Sequence, residues 1–269
     1  MNTQKALDAL INPSKVLKHL WRRTKLGSFE LREQFDAFEK PQYAWGMVQA
    51  AKIAKTFGIN RITAIEFGVA AGGGLLSLDN YSLEIKRELG VQIDCYGFDT
   101  GKGLTKPVDF RDAPYIWKEG QFSPSDGDMY NFNSLRSKLL NSQLVIGDVK
   151  ETVPEFRRKL TSPIGFISFD LDLYTSTRDA FEIFNGDHSK YLPRVPLYFD
   201  DVSGPDAFCN EFMGELLAIE EFNNQKAGEK VAKINGFELY RKIPSSWNVG
   251  AYMYHRFDHG NYNDFTDYK

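Results

Sequence analysis

Apolar residues recur along the chain with two spacings, and the spacings alternate. From Pro41, a favoured first-turn residue, Ala44, Met47, Val48, Ala51 and Ala54 follow at helical spacing, and Gly58 supplies the stop. Ile62 to Val69 reads as a strand, after which Gly72, Gly73 and Gly74 open a helix running to Leu89 and Gly90. Val91 to Asp99 reads as the second strand, Leu144 to Ile146 as the end of a third, Ile164 to Phe169 as a fourth and Val195 to Phe199 as a fifth. Helices are predicted at Pro154 to Leu160, around Arg178 to Phe184, and from about Asp206 to Phe222. This alternation is the signature of βαβ units on a parallel sheet. Two last strand-like runs, Lys230 to Arg241 and Asn248 to Arg256, are joined by Pro244-Ser245-Ser246 with no helix between them. They predict an antiparallel finish. The fold class expected is α/β: a doubly wound, mostly parallel sheet with an antiparallel final strand and helices on both faces.

Thr100 to about Phe132 breaks the rhythm. It carries Pro107, Pro114 and Pro124 with the aromatics Phe110, Tyr115, Trp117, Phe122 and Tyr130, and a stretch of this length without periodicity is expected to be a functional loop or lid. No repeat or linker divides the chain. Residues 1–40 are read as an N-terminal helical extension, and 41–269 as one domain with the insertion at about 100–132.

Composition narrows the class. With 42% hydrophobic and 26% charged residues, the chain is neither disordered, collagen-like nor coiled coil. Cys95 and Cys209 form neither a CxxC pair nor a disulfide framework, so both are expected to be buried free thiols in a reducing compartment. The net charge of −3 conceals a cancellation: residues 1–27 carry +5, leaving −8 for the rest. An acidic body argues against nucleic-acid binding. Val16, Leu17, Leu20 and Trp21 lie at helical spacing in the basic segment, which is expected to pack on its own domain in preference to a membrane surface or a partner. The basic segment precedes no apolar stretch of secretory type, and no run is long enough to span a bilayer. Cytoplasmic residence is the default expectation.

Ligands of doubly wound folds bind beyond the carboxyl ends of the strands. Those ends here carry Glu66-Phe67-Gly68, Asp99, Asp148, Asp170 with Asp172, and Asp200-Asp201. Any one acid could cap a helix, but capping alone does not account for five acidic strand ends in succession. Glu66 to Gly74 gives a strand, a tight turn and a helix start, where absent side chains admit a ligand to the backbone. The spacing is not the Gly-x-Gly-x-x-Gly of nicotinamide enzymes, and Asp99 follows Glu66 too late for their ribose acid.

Together these residues resemble the Rossmann-like class I S-adenosylmethionine-dependent methyltransferases. Tyr96-Gly97-Phe98-Asp99-Thr100-Gly101-Lys102-Gly103-Leu104, Asp170-Leu171-Asp172-Leu173-Tyr174-Thr175-Ser176-Thr177 and Tyr198-Phe199-Asp200-Asp201 are similar to three signatures of macrocin O-methyltransferase-like enzymes, over roughly residues 40 to 241. The resemblance implies S-adenosyl-L-methionine as cofactor, its methionine end beside Glu66, Gly68 and Gly72, its ribose on Asp99 with Thr100, and its adenine near Asp148. A carboxylate accepting from both ribose hydroxyls makes chemical sense. It also implies transfer to a hydroxyl of a sugar or glycosylated small molecule, with Mg²⁺ held by Asp170, Asp200 and Asp201, and with Asp170 serving both catalysis and cofactor. Such a hard ion suits carboxylate oxygens and would acidify a bound hydroxyl. Homo-oligomer formation is left open.

Two departures bear on the acceptor: the family's proline after Gly-Leu is Thr105, and the loop after it is long and aromatic, so Tyr115, Trp117 and Phe122 are expected to set substrate choice. Asp172 reads as a cap for a helix beginning near Ser176, in preference to a carboxylate orienting the site. His188, His255 and His259 are assigned no role as a base, and Asp126 and Asp128 read as solvated loop acids. The alternatives are a binding or scaffolding protein on the same fold, and a hydrolase with a carboxylate-bound metal, which would leave the glycine turn and Asp99 without purpose.

Overall fold

The computed structural model describes residues 13–123, 131–204 and 209–265, with side chains from residue 18 onward. In chain order the elements are α1 (Pro13–Thr24), α2 (Phe29–Gln34), α3 (Pro41–Thr56), β1 (Arg61–Phe67), α4 (Gly73–Leu89), β2 (Gln92–Asp99), α5 (Phe132–Lys138), β3 (Ser142–Ile146), α6 (Val149–Lys159), β4 (Ile164–Phe169), α7 (Tyr174–Ala180), β5 (Arg194–Phe199), α8 (Gly214–Gln225), β6 (Glu229–Lys233), α9 (Phe237–Tyr240) and β7 (Ala251–Arg256). Short 3₁₀ turns occur at Phe110–Asp112, Phe181–Phe184, His188–Lys190 and Ser246–Gly250.

The sheet has the order β3-β2-β1-β4-β5-β7-β6. Its first five strands run parallel, while β7 pairs antiparallel with both β5 and β6. This is the Rossmann-like, doubly wound arrangement with an antiparallel finish that the alternating periodicity predicts. The order reverses between β1 and β4, so a crevice opens beyond their carboxyl ends.

Strand register decides what lines that crevice. Phe67 pairs with Phe98 on one side and Phe169 on the other, and Phe169 pairs with Phe199. Side chains in register share a face, and the four rings pack together: Phe67 lies 5.0 Å from Phe98 and 5.2 Å from Phe169, and Phe169 stacks on Phe199 at 4.7 Å. The next residue of each strand is then Gly68, Asp99, Asp170 or Asp200, all at one level of the rim. The ladder carries on into these residues, since the amides of Gly68, Asp170 and Asp200 donate to the carbonyls of Phe98, Phe67 and Phe169. A buried aromatic row thus fixes the height at which the acids emerge.

Several boundaries differ from expectation. The predicted strand from Lys230 to Arg241 ends at Lys233, and Phe237–Tyr240 is a helical turn. Helix α6 begins at Val149, not Pro154, because Asp148 caps it and Pro154 sits in its second turn. The last long helix, α8, starts at Gly214, and Asp206 lies outside the described residues, as do Asp126, Asp128 and Tyr130. Cys95 is buried as expected, whereas Cys209 is partly exposed.

The N-terminal segment is tied down by charge. Lys18 lies 3.9 Å from Asp36, Arg22 lies 3.7 Å from Glu39, and buried Arg32 bonds Glu84 of α4. From the far end of the chain, Arg241 pairs with Glu33 and Asp36, and the Trp247 indole donates to Asp36 at 3.2 Å. Trp21 packs on Phe35 at 5.5 Å, but Leu20 faces outward, and the side chains of Val16 and Leu17 lie outside the described residues. No helix among the described residues is long and apolar enough to cross a membrane.

Candidate active site

A cavity of about 440 Å³ occupies the crevice. Glu66, Gly68, Asp99, Thr100, Asp148, Asp170, Asp200 and Asp201, read from sequence as site residues, all border it. Gly72 does not. It caps the start of α4 with a left-handed φ of 83°, and a side chain there would run into Leu135. Its role is to start the helix and pack it, and the neighbouring Gly73 and Gly74 border the cavity in its place.

The turn after β1 is built by two constraints. Gly68 has φ +88°, and a Cβ there would sit 1.7 Å from the carbonyl oxygen of Asp170. Only glycine fits. The Asp99 carboxylate then holds the turn: Oδ2 accepts from the amides of Val69 and Ala70, both at 3.0 Å, and Oδ1 accepts from Gly101 at 2.8 Å. With about four acceptor sites on a carboxylate, Asp99 shapes the loop and keeps capacity for a ligand hydroxyl. The Thr100 hydroxyl is used within its own turn, donating to Gly103 at 2.7 Å and accepting from the Lys102 amide at 3.0 Å. Asp148 accepts from the Lys150 amide at 2.9 Å, so it is a helix cap and a cavity wall at once.

Glu66 lies at the inner end and is 2% exposed. The Tyr43 hydroxyl donates to its Oε1 at 2.8 Å, while Oε2 is buried without a partner. Burial pushes its carboxyl up to about 8, against the pull of the Tyr43 hydrogen bond. Gly74 lets the two groups meet, since a Cβ at that position would overlap Oε1.

The outer wall is a group of acids. Burial, then repulsion from Asp200 and Asp201, holds Asp170 well above the usual carboxylate range, with Lys40 opposing. Asp201 is pushed up to about 8 by burial and by Asp172 and Asp200, and Asp172 to about 7 by burial and by Asp170 and Asp200. Asp200 and Asp201 are nonetheless drawn aside. Asp200 Oδ1 accepts from the Tyr198 hydroxyl at 2.7 Å, and Asp201 Oδ2 accepts from the Asp172 amide at 3.1 Å. Behind them, fully buried Glu215 accepts from the Asp201 amide at 3.0 Å. Among the described residues no three His, Cys, Asp or Glu side chains are gathered as a metal centre. As to the donors, no described residue hydrogen-bonds the Asp170 carboxyl. Mutually repelling carboxylates of this kind are a donor set that fits a hard divalent cation.

The insertion closes the near side, and Asp172 does not cap α7. Leu173 occupies the cap position with no side-chain bond, and Asp172 borders the cavity with φ +61°. The free amide of the first turn is served instead from the insertion: buried Asp112 accepts from the Thr175 amide at 2.8 Å and its hydroxyl at 3.0 Å, and from the Val108 amide at 2.9 Å. Arg111 lies 4.6 Å above the Tyr174 ring, and the Tyr174 hydroxyl donates to Glu221 at 2.6 Å. The Leu-Tyr-Thr-Ser-Thr run therefore anchors the insertion. Of the three aromatics assigned to substrate choice, Phe122 borders the cavity with Leu104, Thr105 and Ser176; Trp117 packs 6.2 Å from Phe122, and Tyr115 turns to Met213 at 3.5 Å. No histidine is among the cavity residues.

Lys40, Tyr43 and Asp112 were not singled out from sequence. Lys40 and Tyr43 sit in the helix-start pattern at Pro41, which reads as packing, and Asp112 is one acid in an aperiodic loop. A charged residue directly before a predicted helix facing the glycine turn was the available signal.

In fold, the chain is similar to CalS11, a calicheamicin methyltransferase, at 21% identity over 79% of each chain, TM-score 0.49. It is similar also to the O-methyltransferase NovP, at 15% identity over 77% of this chain and 76% of that one, TM-score 0.48. A third likeness is to the Podospora anserina methyltransferase PaMTH1 with S-adenosylhomocysteine bound, at 13% identity over 94% and 95%, TM-score 0.41. No protein-family model and no curated protein matches the chain.

Proposed function

We propose that the chain is an S-adenosylmethionine-dependent O-methyltransferase acting on a hydroxyl of a small molecule, a sugar or glycoside. One observation carries the reading: a single cavity at the switch point brings together the glycine turn, Asp99, Asp148, Glu66 and Asp170. A nucleoside fits this arrangement, because Asp99 and Asp148 present acceptors on the β2 and β3 side while the turn admits the chain that links ribose to sulfur. The sulfonium and ammonium groups are both cations, and the acids of β1 and β4 supply the complementary field.

Asp170, Asp200 and Asp201 are the residues that would hold Mg²⁺, which when bound would acidify a coordinated hydroxyl. The chain's own part is to place the acceptor between those acids and Phe122, and to cover it with the insertion so that bulk water is excluded.

Titration calorimetry with S-adenosylhomocysteine tests the cofactor. Saturable one-to-one binding is expected, and no heat from folded protein overturns the proposal. The cation is tested separately by adding Mg²⁺ to the chelated protein: D200N/D201N is expected to abolish Mg²⁺ binding while leaving S-adenosylhomocysteine affinity within about threefold. No Mg²⁺ binding by wild type, or binding unchanged in D200N/D201N, would take the cation away from these residues and leave the methyltransferase standing.

A further inference from the structure

The cavity wall is strongly one-sided in charge. Among the described residues seven carboxyl groups border it, from Glu66, Asp99, Asp148, Asp170, Asp172, Asp200 and Asp201, and against them stands one basic side chain, Lys40. Acids in that number suit the two positive groups of the proposed cofactor. They do not suit its one negative group, the methionine carboxylate, which needs a donor of its own on leaving water.

Lys40 is placed to be that donor. Its backbone is anchored on both sides, the amide donating to the Tyr81 hydroxyl at 3.2 Å and the carbonyl accepting from the amides of Tyr43 and Ala44, both at 3.1 Å. The root of the side chain is therefore held at the start of α3. Its ammonium lies 5.7 Å from the centre of the Tyr43 ring and makes no hydrogen bond or ion pair with any described residue. An ammonium over an aromatic face is steered by the ring while all three donors stay free. The same Tyr43 holds Glu66, whose Oε2 is buried and unpartnered, so one tyrosine orients a free acceptor and a free cation at the inner end of the cavity.

Resting on the cofactor reading above, we propose that Lys40 binds the carboxylate of the methionine moiety while Glu66 takes its ammonium. The amino-acid end is thus recognised at both of its groups, the carboxylate by the Lys40 ammonium and the ammonium by the Glu66 carboxyl, with Tyr43 between them. Lys40 is a binding residue for the cofactor and has no part in the transfer step.

The test compares two ligands that differ by that carboxylate alone, S-adenosylmethionine and decarboxylated S-adenosylmethionine, by calorimetry on wild type, K40M and K40R. K40M is expected to lose at least about tenfold in affinity for S-adenosylmethionine, the scale of one charge-assisted hydrogen bond. It should hold or gain affinity for the decarboxylated ligand, and K40R should recover most of the loss. If K40M binds both ligands better, Lys40 only offsets the acids and the proposal is overturned. If K40M leaves the affinity for S-adenosylmethionine unchanged, the carboxylate rests on the α4 N-terminus and the proposal is likewise overturned. Should K40M not fold, K40Q takes its place in the same comparison with the same two outcomes, and no preference of wild type for the carboxylated ligand removes the pairing. Binding of neither ligand by wild type would overturn this inference together with the cofactor reading, which is a distinct outcome.

Discussion

The Tyr43 hydroxyl donates a 2.8 Å hydrogen bond to Glu66 Oε1 and leaves Oε2 alone in the protein interior. The neutral acid is favoured there, and the carboxyl is pushed from 4.5 up to about 8. A group whose folded value is raised keeps its proton where the unfolded chain gives it up, so stability falls as pH rises from about 4.5 and levels off above about 8. At about 1.4 kcal/mol per unit, the loss is on the order of 5 kcal/mol. Urea unfolding at pH 5 and pH 8.5 checks this through the difference between variants. E66Q, which resembles the neutral acid at every pH, should lose less stability over the window than wild type, and equal losses would exclude Glu66 as the titrating group.

Asp112 connects the insertion to α7 by serving two donors on Thr175 and one on Val108. D112A leaves those donors without their acceptor and should cost about 1–3 kcal/mol. The loosening should be local. Lys102, Arg111 and Lys118 are cleavable positions within the insertion, and trypsin is expected to cut D112A there at least about tenfold faster than wild type, with mass spectrometry locating the cuts. Uniform cleavage along the chain would show global unfolding in place of a released anchor.

Gly68 is pressed against the backbone of Asp170, and an added Cβ would lie 1.7 Å from its carbonyl oxygen. Backbone cannot yield as a side chain does. G68A should destabilise by about 2–4 kcal/mol through overpacking and a left-handed φ, and S-adenosylhomocysteine affinity should fall at least about tenfold because turn and Asp170 shift together. Thermal unfolding and calorimetry measure the two effects, and G228A, away from the cavity and with nothing within 4 Å of an added Cβ, is the control.

Much of the sheet and its rim was legible in residue order. Alternating periodicities located the five parallel strands and the antiparallel end, and an acid following the last apolar residue of a strand identifies itself, as at Asp99, Asp170 and Asp200. Roles were less legible than positions. Asp172 looks like a cap because it precedes a helix, yet the serving acid is Asp112, brought from 63 residues away by the fold. Gly72 looks like a ligand-contacting glycine because it stands in the turn, yet its φ and its contact with Leu135 make it part of the packing.

Local chemistry is written in the chain: which residues can form a strand, which carboxylates stand at strand ends, where glycine is required. Those properties depend on neighbours within a few positions. The level at which the acids meet, set by the row of Phe67, Phe98, Phe169 and Phe199, depends on register between strands. The pairing of Tyr43 with Glu66, the ammonium of Lys40 beside them, and the raised carboxyls of Asp170, Asp172 and Asp201 depend on burial and on charges distant in sequence. Desolvation and Coulomb interactions act through space, so only the tertiary structure could decide them.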